Sequence, residues 1–474
     1  MNTLHKNDII RLRIEALAFG GQGVAHTDEG FTVFVRNALP EQEVDVKIVK
    51  KRKNYAEAII NRVVSASRFQ VEPRCSYYGA CGGCLLQHLD YAEQLVQKQR
   101  QVIETIEHIG GFQDLTMLSI MPSPEQYYYR NKMEFSFSNR RWLTHSEISS
   151  QQIFDNNFCL GLHAPGRFDK VVDVHCCFLL SERSNLVLNQ IRAFAKNSQL
   201  APYTTQDHSG YWRFVVIRES KQLDGMMVNL VTAADSAGDR LLEQLAQQLT
   251  TTFPFITTVV HNINKKKAQI AVGDEERILF GPGYIEEKLD DLIYRISANS
   301  FFQTNSAQAE NMYRLIAQWG DFNKDQVVYD LYCGAGSIAL FIANKVQKVV
   351  GFEIVAQALR DAELNSRINR IANCEFVEGD LKDQFADPAK VLARYDWPAI
   401  IIIDPPRSGM HPSLPDKIVQ LQPNTIFYVS CNPATLARDL KLICQDKYRI
   451  DLIQPIDMFP HTAHCETVVR LLKK

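Results

Sequence analysis

Cys431 stands where a cysteine can do covalent chemistry, between an apolar β-like run, Thr425-Ile-Phe-Tyr428, and a helix-forming run from Ala434 to Cys444. A strand-to-helix turn exposes its central residue at a sheet edge, and the nearby helix N-terminus favours the thiolate, the nucleophilic form. Asn432-Pro433 directly after it fixes the turn that presents it. A single cysteine is more often a small buried hydrophobe, so the reading depends on what else the chain supplies. A second constellation, Cys75-x5-Cys81-Gly-Gly-Cys84, sets three thiols around a flexible glycine pair. Such spacing suits a metal or iron–sulfur centre. Three thiolates leave one ligand to come from elsewhere, with Cys159, Cys176 and Cys177 as candidates. A closed four-thiolate zinc site is the competing reading.

The C-terminal half holds two further groups. Cys333-Gly-Ala-Gly336 follows the apolar run Val327-Val-Tyr-Asp-Leu-Tyr332, and Glu353 ends the next such run. A glycine turn followed by an acid at the end of the second strand fits an adenosine-bearing cofactor. The glycines allow close backbone approach and Glu353 can accept from both ribose hydroxyls. The full Gly-x-Gly-x-x-Gly of dinucleotide sites is absent, which disfavours a nicotinamide enzyme. Asp404-Pro-Pro-Arg407-Ser-Gly409 holds a carboxylate rigidly after Ala399-Ile-Ile-Ile-Ile403, and Glu466 heads a final strand in His464-Cys-Glu-Thr-Val-Val469. Taken singly, Glu466 reads as a solvated strand-end acid and Cys465 as a packed one.

The elements that must position these residues read as a multidomain protein of 474 residues. Residues 1–66 alternate short strands with Gly-rich turns, the pattern of an OB-like β-barrel. Lys47, Lys50, Lys51, Arg52 and Lys53 beside Tyr55 suit a nucleic-acid backbone with a stackable base. The pattern Gly20-Gly-Gln-Gly23-Val-Ala25 resembles the TRAM domain of RNA-modifying enzymes. Residues 67–290 read as an α+β central domain carrying the cysteine cluster, with a helix from Asp90 to about His108 and a strand over Tyr127–Phe137. Residues 291–474 alternate strands and helices as a doubly wound, Rossmann-like α/β sheet binds its ligand at the carboxyl ends of its strands. A net charge of -2 makes any nucleic-acid surface a local patch. No run approaches the ~18 apolar residues of a membrane helix, and Met1–Lys6 lacks the apolar core of a signal peptide. A cytoplasmic monomer whose cysteines are ligands, nucleophiles or core residues is expected.

Ser430-Cys-Asn-Pro-x-Thr-Leu-x-Arg-Asp439, Asp404-Pro-Pro-Arg-x-Gly409, Asp330-Leu-Tyr-Cys-Gly-Ala-Gly336 and His464-x-Glu-Thr-Val468 together resemble the RNA uracil-5 methyltransferase family, in particular its iron–sulfur branch acting on 23S ribosomal RNA. The resemblance implies Cys431 as nucleophile and Glu466 as general base. It implies Gln303, Tyr332, Ser337, Glu353, Asp380 and Asp404 as contacts to S-adenosylmethionine. It implies Cys75, Cys81, Cys84 and Cys177 as ligands of a 4Fe-4S cluster. Two positions depart from the family pattern: Tyr332 stands where Phe is frequent, and Ser337 where Asn is common. The five-residue gap after Cys75 also departs from the Cys-x3-Cys-x2-Cys of radical enzymes that use S-adenosylmethionine.

Uracil C5 is a poor nucleophile until a thiolate adds to C6, which explains the residue types. A carboxylate with a pKa raised by burial suits removal of the C5 proton. The target uridine must be flipped out of its stack, and the barrel and central domain would grip the RNA around it. The cluster is expected to be structural, its loss weakening folding or RNA binding and leaving the chemical step intact. Rival readings are a transfer-RNA uridine methyltransferase, a cytosine-5 methyltransferase, and a non-catalytic RNA-binding or ribosome-assembly protein. The last would need neither Cys431 nor Glu466.

Overall fold

In the computed structural model, which describes residues 4–150 and 152–474, the chain builds three sheets and one long hairpin. Residues Met1–Thr3 of the N-terminal reading lie outside the described residues. The first sheet is a six-stranded barrel-like unit from Ile9–Arg13 to Tyr55–Ser65, closed over Leu12, Val33, Val35, Val44, Val46, Ile48, Ala56 and Ala58. Alternate residues of Glu43–Lys51 point inward, so the intervening lysines face out. Lys50 pairs with Glu57 at 2.7 Å and Lys51 sits over Phe31.

The central sheet has eight strands, with Lys132–Ser138 between Trp212–Glu219 and Cys159–Ala164. Helices Glu182–Asn197 and Ser236–Thr252 bury Leu188, Ile191, Leu242 and Leu245 against it. Where a strand is expected from Tyr127, Tyr127–Asn131 instead form a turn. Tyr128 has φ +58° and its N–H donates to Phe178 O. That left-handed residue cannot continue a strand. The hairpin Tyr284–Leu289/Leu292–Ser297 turns at Asp290-Asp291 and packs Ile285, Tyr294 and Ile296 beside helix Ser306–Trp319.

The third sheet runs from Val327. Numbered along the chain, its strands lie in the order 3-2-1-4-5-7-6: Val327–Leu331, Lys348–Glu353, Cys374–Glu378, Pro398–Ile403, Thr425–Ser430, Tyr448–Ile456 and Glu466–Lys473. The first five are parallel; the seventh inserts antiparallel beside the fifth. Buried on both faces, the inner strands are continuous apolar runs. Ile400, Ile402, Phe427 and Val429 meet one layer of helices, and Ile401, Ile403, Ile426 and Tyr428 meet the other. Strand order reverses between strands one and four, the position at which such sheets bind ligands.

Helix Tyr91–Thr105 belongs by sequence to the central region but docks on the third sheet, burying Val102 and then Ile106 there. Its expected apolar face is only partly used, since Val96 is exposed. Its other buried stripe is polar: Gln94, Gln97, Lys98 and Gln101. Gln97 accepts from Leu17 N and Gln101 donates to Leu17 O, both at 2.9 Å, so the helix also grips the barrel. Among the described residues, no helix is long and apolar enough to cross a membrane.

Candidate active site and cysteine pocket

The register of the third sheet brings the expected catalytic pair together. Ser430 pairs with Thr467, so the next residue, Cys431, lies across from Glu466 at the head of the antiparallel strand. Leu331 pairs with both Phe352 and Ile403, which sets Tyr332, Glu353 and Asp404 side by side at the same edge. Asp404 N donates to Leu331 O at 3.3 Å. Cys431 is half-buried and Glu466 is 3% exposed.

The polar residues around Cys431 hold this turn against the Asp404 turn. Asn432 caps helix Pro433–Ile443 by accepting from Ala434 N at 3.1 Å, and its side-chain amide donates to Arg407 O at 3.1 Å. Thr435 Oγ1 also donates to Arg407 O, and Arg438 donates to Ser408 O and Met410 O. Asp439, fully buried, accepts from Met410 N at 2.9 Å and from Tyr428 OH at 2.6 Å. Gly409 has φ +75°, and a Cβ there would lie 2.5 Å from Arg438 Nη2. The motif around the cysteine is therefore largely a clamp on the motif around Asp404.

The electrostatics correct one expectation. Burial, with the carboxyls of Glu466 and Asp404, pushes the Cys431 thiol up to about 11, and Arg407, which hydrogen-bonds the sulfur, opposes the rise. Burial and the neighbouring Asp404 raise Glu466 well above the usual carboxylate range, with Arg407 opposing, and burial raises Asp404 to about 7. Arg407 and Asp439, within the quoted motifs but given no role from sequence, are thus central to the site's charge and geometry. Asp330 is a further such residue: it is buried, raised by burial and Asp404, accepts from Ala339 N at 3.0 Å, and leaves Oδ1 without a partner.

Of the expected cofactor contacts, Tyr332, Ser337, Glu353, Asp380 and Asp404 lie at the carboxyl ends of the first four strands. Glu353 accepts from Gly334 N at 3.1 Å and from Ile354 N and Val355 N at 2.9 Å, which fixes its carboxylate below the glycine turn. Gly334 and Gly336 have φ +55° and +79°, and a Cβ on Gly334 would meet nothing within 4 Å, so its backbone faces open space. Tyr332 is itself left-handed, at φ +64°. Ser337 opens helix Ser337–Ala343, and Asp380 caps Leu381–Gln384 by accepting from Lys382 N. Gln303 is buried, its carbonyl accepting from Asn131 Nδ2 at 2.9 Å.

Glu466 is preceded by a loop pinned from three directions. Lys98 Nζ meets Asp457 Oδ1 at 2.6 Å, both side chains buried, and Tyr91 OH donates to Asp457 Oδ2 at 2.8 Å. Leu85 N and Leu86 N, just past the cysteine cluster, donate to His461 O at 2.9 and 3.0 Å. Phe19 of the barrel stands edge-on to His464, and His464 Nε2 lies 3.4 Å from Arg407 Nη2. Burial and the cations Arg407, Lys98 and Arg130 lower the His464 pKa to about 4. Cys465 packs as expected, 3% exposed.

Cys75, Cys81, Cys84, Cys176 and Cys177 line one pocket with Tyr77, Met133 and Leu162. Cys159 is elsewhere, its thiol on Ser138 O and Val171 O, which removes it as fourth ligand. Burial pushes Cys81 up to about 12 and Cys177 to about 11; the other thiols of the pocket add to each rise. Among the described residues no group of three or more His, Cys, Asp or Glu side chains is placed to hold a metal ion.

Known proteins share this architecture. Residues 244–474 match the tRNA (Uracil-5-)-methyltransferase family and residues 5–60 the TRAM domain. An uncharacterized RNA methyltransferase of Chlorobaculum tepidum is 43% identical over 98% of this chain and 96% of its own length. Another, from Bacteroides thetaiotaomicron, is 36% identical over 96% and 99%. The crystal structure of Pyrococcus abyssi tRNA (uracil-54, C5)-methyltransferase in complex with S-adenosyl-L-homocysteine superposes with a TM-score of 0.74 at 28% identity, covering 98% of this chain and 100% of that one. With a TRAM barrel ahead of the methyltransferase sheet, this chain belongs to the S-adenosylmethionine-dependent RNA uracil-5 methyltransferase family.

Proposed function

We propose that the protein methylates C5 of a specific uridine in 23S ribosomal RNA, with Cys431 as nucleophile and Glu466 as general base. The carrying observation is the register that sets Cys431 across from Glu466, beside Asp404 and Arg407. When bound, S-adenosylmethionine supplies an electrophilic methyl group. Gln303, Tyr332, Ser337, Glu353, Asp380 and Asp404 would hold and orient it. Cys431 gives up its thiol proton to solvent and its Sγ bonds to C6 of the flipped uracil, as the C5–C6 π electrons move toward O4 and make C5 nucleophilic. Once C5 carries the methyl group, Glu466 takes the C5 proton. The electron pair returns to C5–C6 as the S–C6 bond breaks and frees Cys431. A buried carboxylate is a stronger base than an exposed one, so the environment of Glu466 suits this step. Residues 1–66 and 67–290 serve as the RNA-gripping units and 291–474 as the methyltransferase unit, acting in the cytoplasm.

Cys75, Cys81, Cys84 and Cys177 hold a 4Fe-4S cluster in this reading. A tetrahedral zinc site needs sulfurs about 3.8 Å apart, from Zn–S bonds of about 2.3 Å. The four thiols line one pocket, and either centre would draw its ligands from them. Anaerobic purification with iron, sulfide and zinc analysis decides it: about four irons per chain expected, falling in Cys84→Ser, whereas stoichiometric zinc overturns the assignment.

A second reading has a specific observation behind it. The Pyrococcus protein, a tRNA (uracil-54, C5)-methyltransferase, matches this chain along its whole length, so the domain content here does not by itself select ribosomal RNA. Mass mapping of ribosomal and transfer RNA from cells lacking the protein separates the two. Loss of 5-methyluridine from the large subunit, unrestored by Cys431→Ala, is the expected result. Loss confined to transfer RNA keeps the mechanism and moves the substrate, and no loss in either overturns the activity.

A further inference from the structure

Between the cysteine loop and the central sheet lies a cavity of about 360 Å³, walled by Gly82, Gly83, Arg130, Lys132, Leu162 and Thr304. Its size is that of one nucleotide-class ligand. The charge is uneven. Among the described residues Arg130 has no ion pair. Its guanidinium lies 3.7 Å from Met133 Sδ, hydrogen-bonds Tyr129 and stands over the rings of Tyr129 and Phe459, with the Cys84 and Cys177 thiols nearby, and its buried Nε has no partner. Lys132 meets Glu134, the one carboxylate of the lining, at 2.7 Å. Across the strand pair Lys132 is in register with Arg218, a fully buried guanidinium behind the wall that donates to Ser300 O and is balanced by Glu134, Glu287 and Asp361. Two cations of the lining, Arg130 and Lys132, therefore face one half-exposed carboxylate, which leaves the wall net positive. Met133 and Leu162 add apolar wall of the kind on which a base can lie.

The cavity is also placed beside the reaction. Thr304 follows Gln303, and Asn131, between the two cations in sequence, donates from its backbone to Thr304 O at 2.7 Å and from its side chain to Gln303 O. The glycine pair is what lets the cysteine loop close here, since a Cβ on Gly82 would lie 2.9 Å from His163 O.

Resting on the proposed RNA methylation, we propose that this cavity receives one phosphodiester-linked nucleotide of the substrate RNA flanking the target uridine, with Arg130 and Lys132 on its phosphate. A free nucleotide presents the same chemistry, and the test separates the two. RNA binding to the full protein is measured by fluorescence anisotropy across a salt series, for the wild type, Lys132→Gln and Lys132→Arg. Each phosphate contact contributes about 0.7–0.9 to the slope of log affinity against log salt. Lys132→Gln should lose about one such increment and bind several-fold more weakly at low salt, and Lys132→Arg should keep both. Unchanged slope and affinity overturn the proposal. So does calorimetric binding of uridine monophosphate that Lys132→Gln abolishes while RNA affinity stays, or a loss confined to S-adenosylmethionine affinity. Independently of any variant, RNA carrying 4-thiouridine beside the target should photo-cross-link to the Met133 or His163 peptides; cross-links elsewhere alone count against the cavity. If 5-methyluridine forms while the cavity makes no contact, this inference fails and the activity stands.

Discussion

At Cys431 the resting environment opposes ionisation, and the balance among three side chains is measurable. Arg407 lowers the thiol pKa, whereas Glu466 and Asp404 raise it. Arg407→Met should therefore move the pH midpoint of iodoacetamide alkylation at Cys431 upward by about one unit, near tenfold in rate at fixed pH. Glu466→Gln removes a raising group and should move the midpoint down while abolishing turnover. Midpoints that do not move in opposite directions would show that the charges act elsewhere. Asp404 carries a stability consequence. Its folded pKa, about 7, exceeds the ordinary carboxylate value of 3.8. Below the lower value both states hold the proton and nothing is lost. Between the two the unfolded chain ionises first and the wild type loses up to about 1.4 kcal/mol per pH unit; above the higher value the loss is constant. Asp404→Asn should gain stability over the wild type through that window and keep a flat advantage above it, read from urea unfolding at several pH values. An advantage that shrank with rising pH would contradict the sign.

At the scale of elements, helix Tyr91–Thr105 shows what patterning can and cannot convey. Its existence follows from the apolar spacing of Leu95, Val102 and Ile106 and from Asp90 as its cap. Its docking does not, because the face that matters is Gln94, Gln97, Lys98 and Gln101, a stripe that reads as solvent-exposed in any one-dimensional pattern. These amides and the ammonium satisfy the backbones of the barrel and of the loop before Glu466, partners remote in sequence. The same limit explains the Tyr127–Asn131 turn, where aromatic β-formers yield to the left-handed Tyr128 and its bond to Phe178. The third sheet was legible because strands buried on both faces are continuous apolar runs ended by chemistry-bearing residues. The pairing of Cys431 with Glu466 was legible only through the family resemblance, since register between a fifth and a seventh strand leaves no local mark. The helix makes a firm prediction. Lys98→Met leaves Asp457 buried with Tyr91 as its remaining side-chain partner, which should cost about 3–5 kcal/mol. Adding Asp457→Leu should return much of it. A loss under about 1 kcal/mol in chemical denaturation would mean that water reaches the pair.

Across the whole molecule, three regions remote in sequence from the nine residues ahead of Glu466, Asp457–Cys465, meet on them. The barrel touches them through Phe19 against His464, the docking helix through Lys98 and Gln94, and the cysteine loop through the amides of Leu85 and Leu86 on His461 O. His461 sits at φ +64°, a conformation that a non-glycine residue keeps only when its surroundings hold it there. The cysteine loop then supports the segment that carries Glu466. If the thiols hold the proposed cluster, its removal should release Leu85 and Leu86 first, because burial disfavours ionisation of Cys81 and Cys177 and four thiols have weaker reasons to converge than four ligands. Hydrogen–deuterium exchange of the as-purified and chelator-treated protein reads this directly. Protection of the Leu85 and Leu86 amides should fall, with a smaller rise in exchange over Asp457–Cys465, where Lys98 and Gln94 still hold. Leu85 and Leu86 amides that stay protected after the metal is gone would show that the docking helix and barrel alone set the loop, and that the cysteine pocket serves the RNA side only.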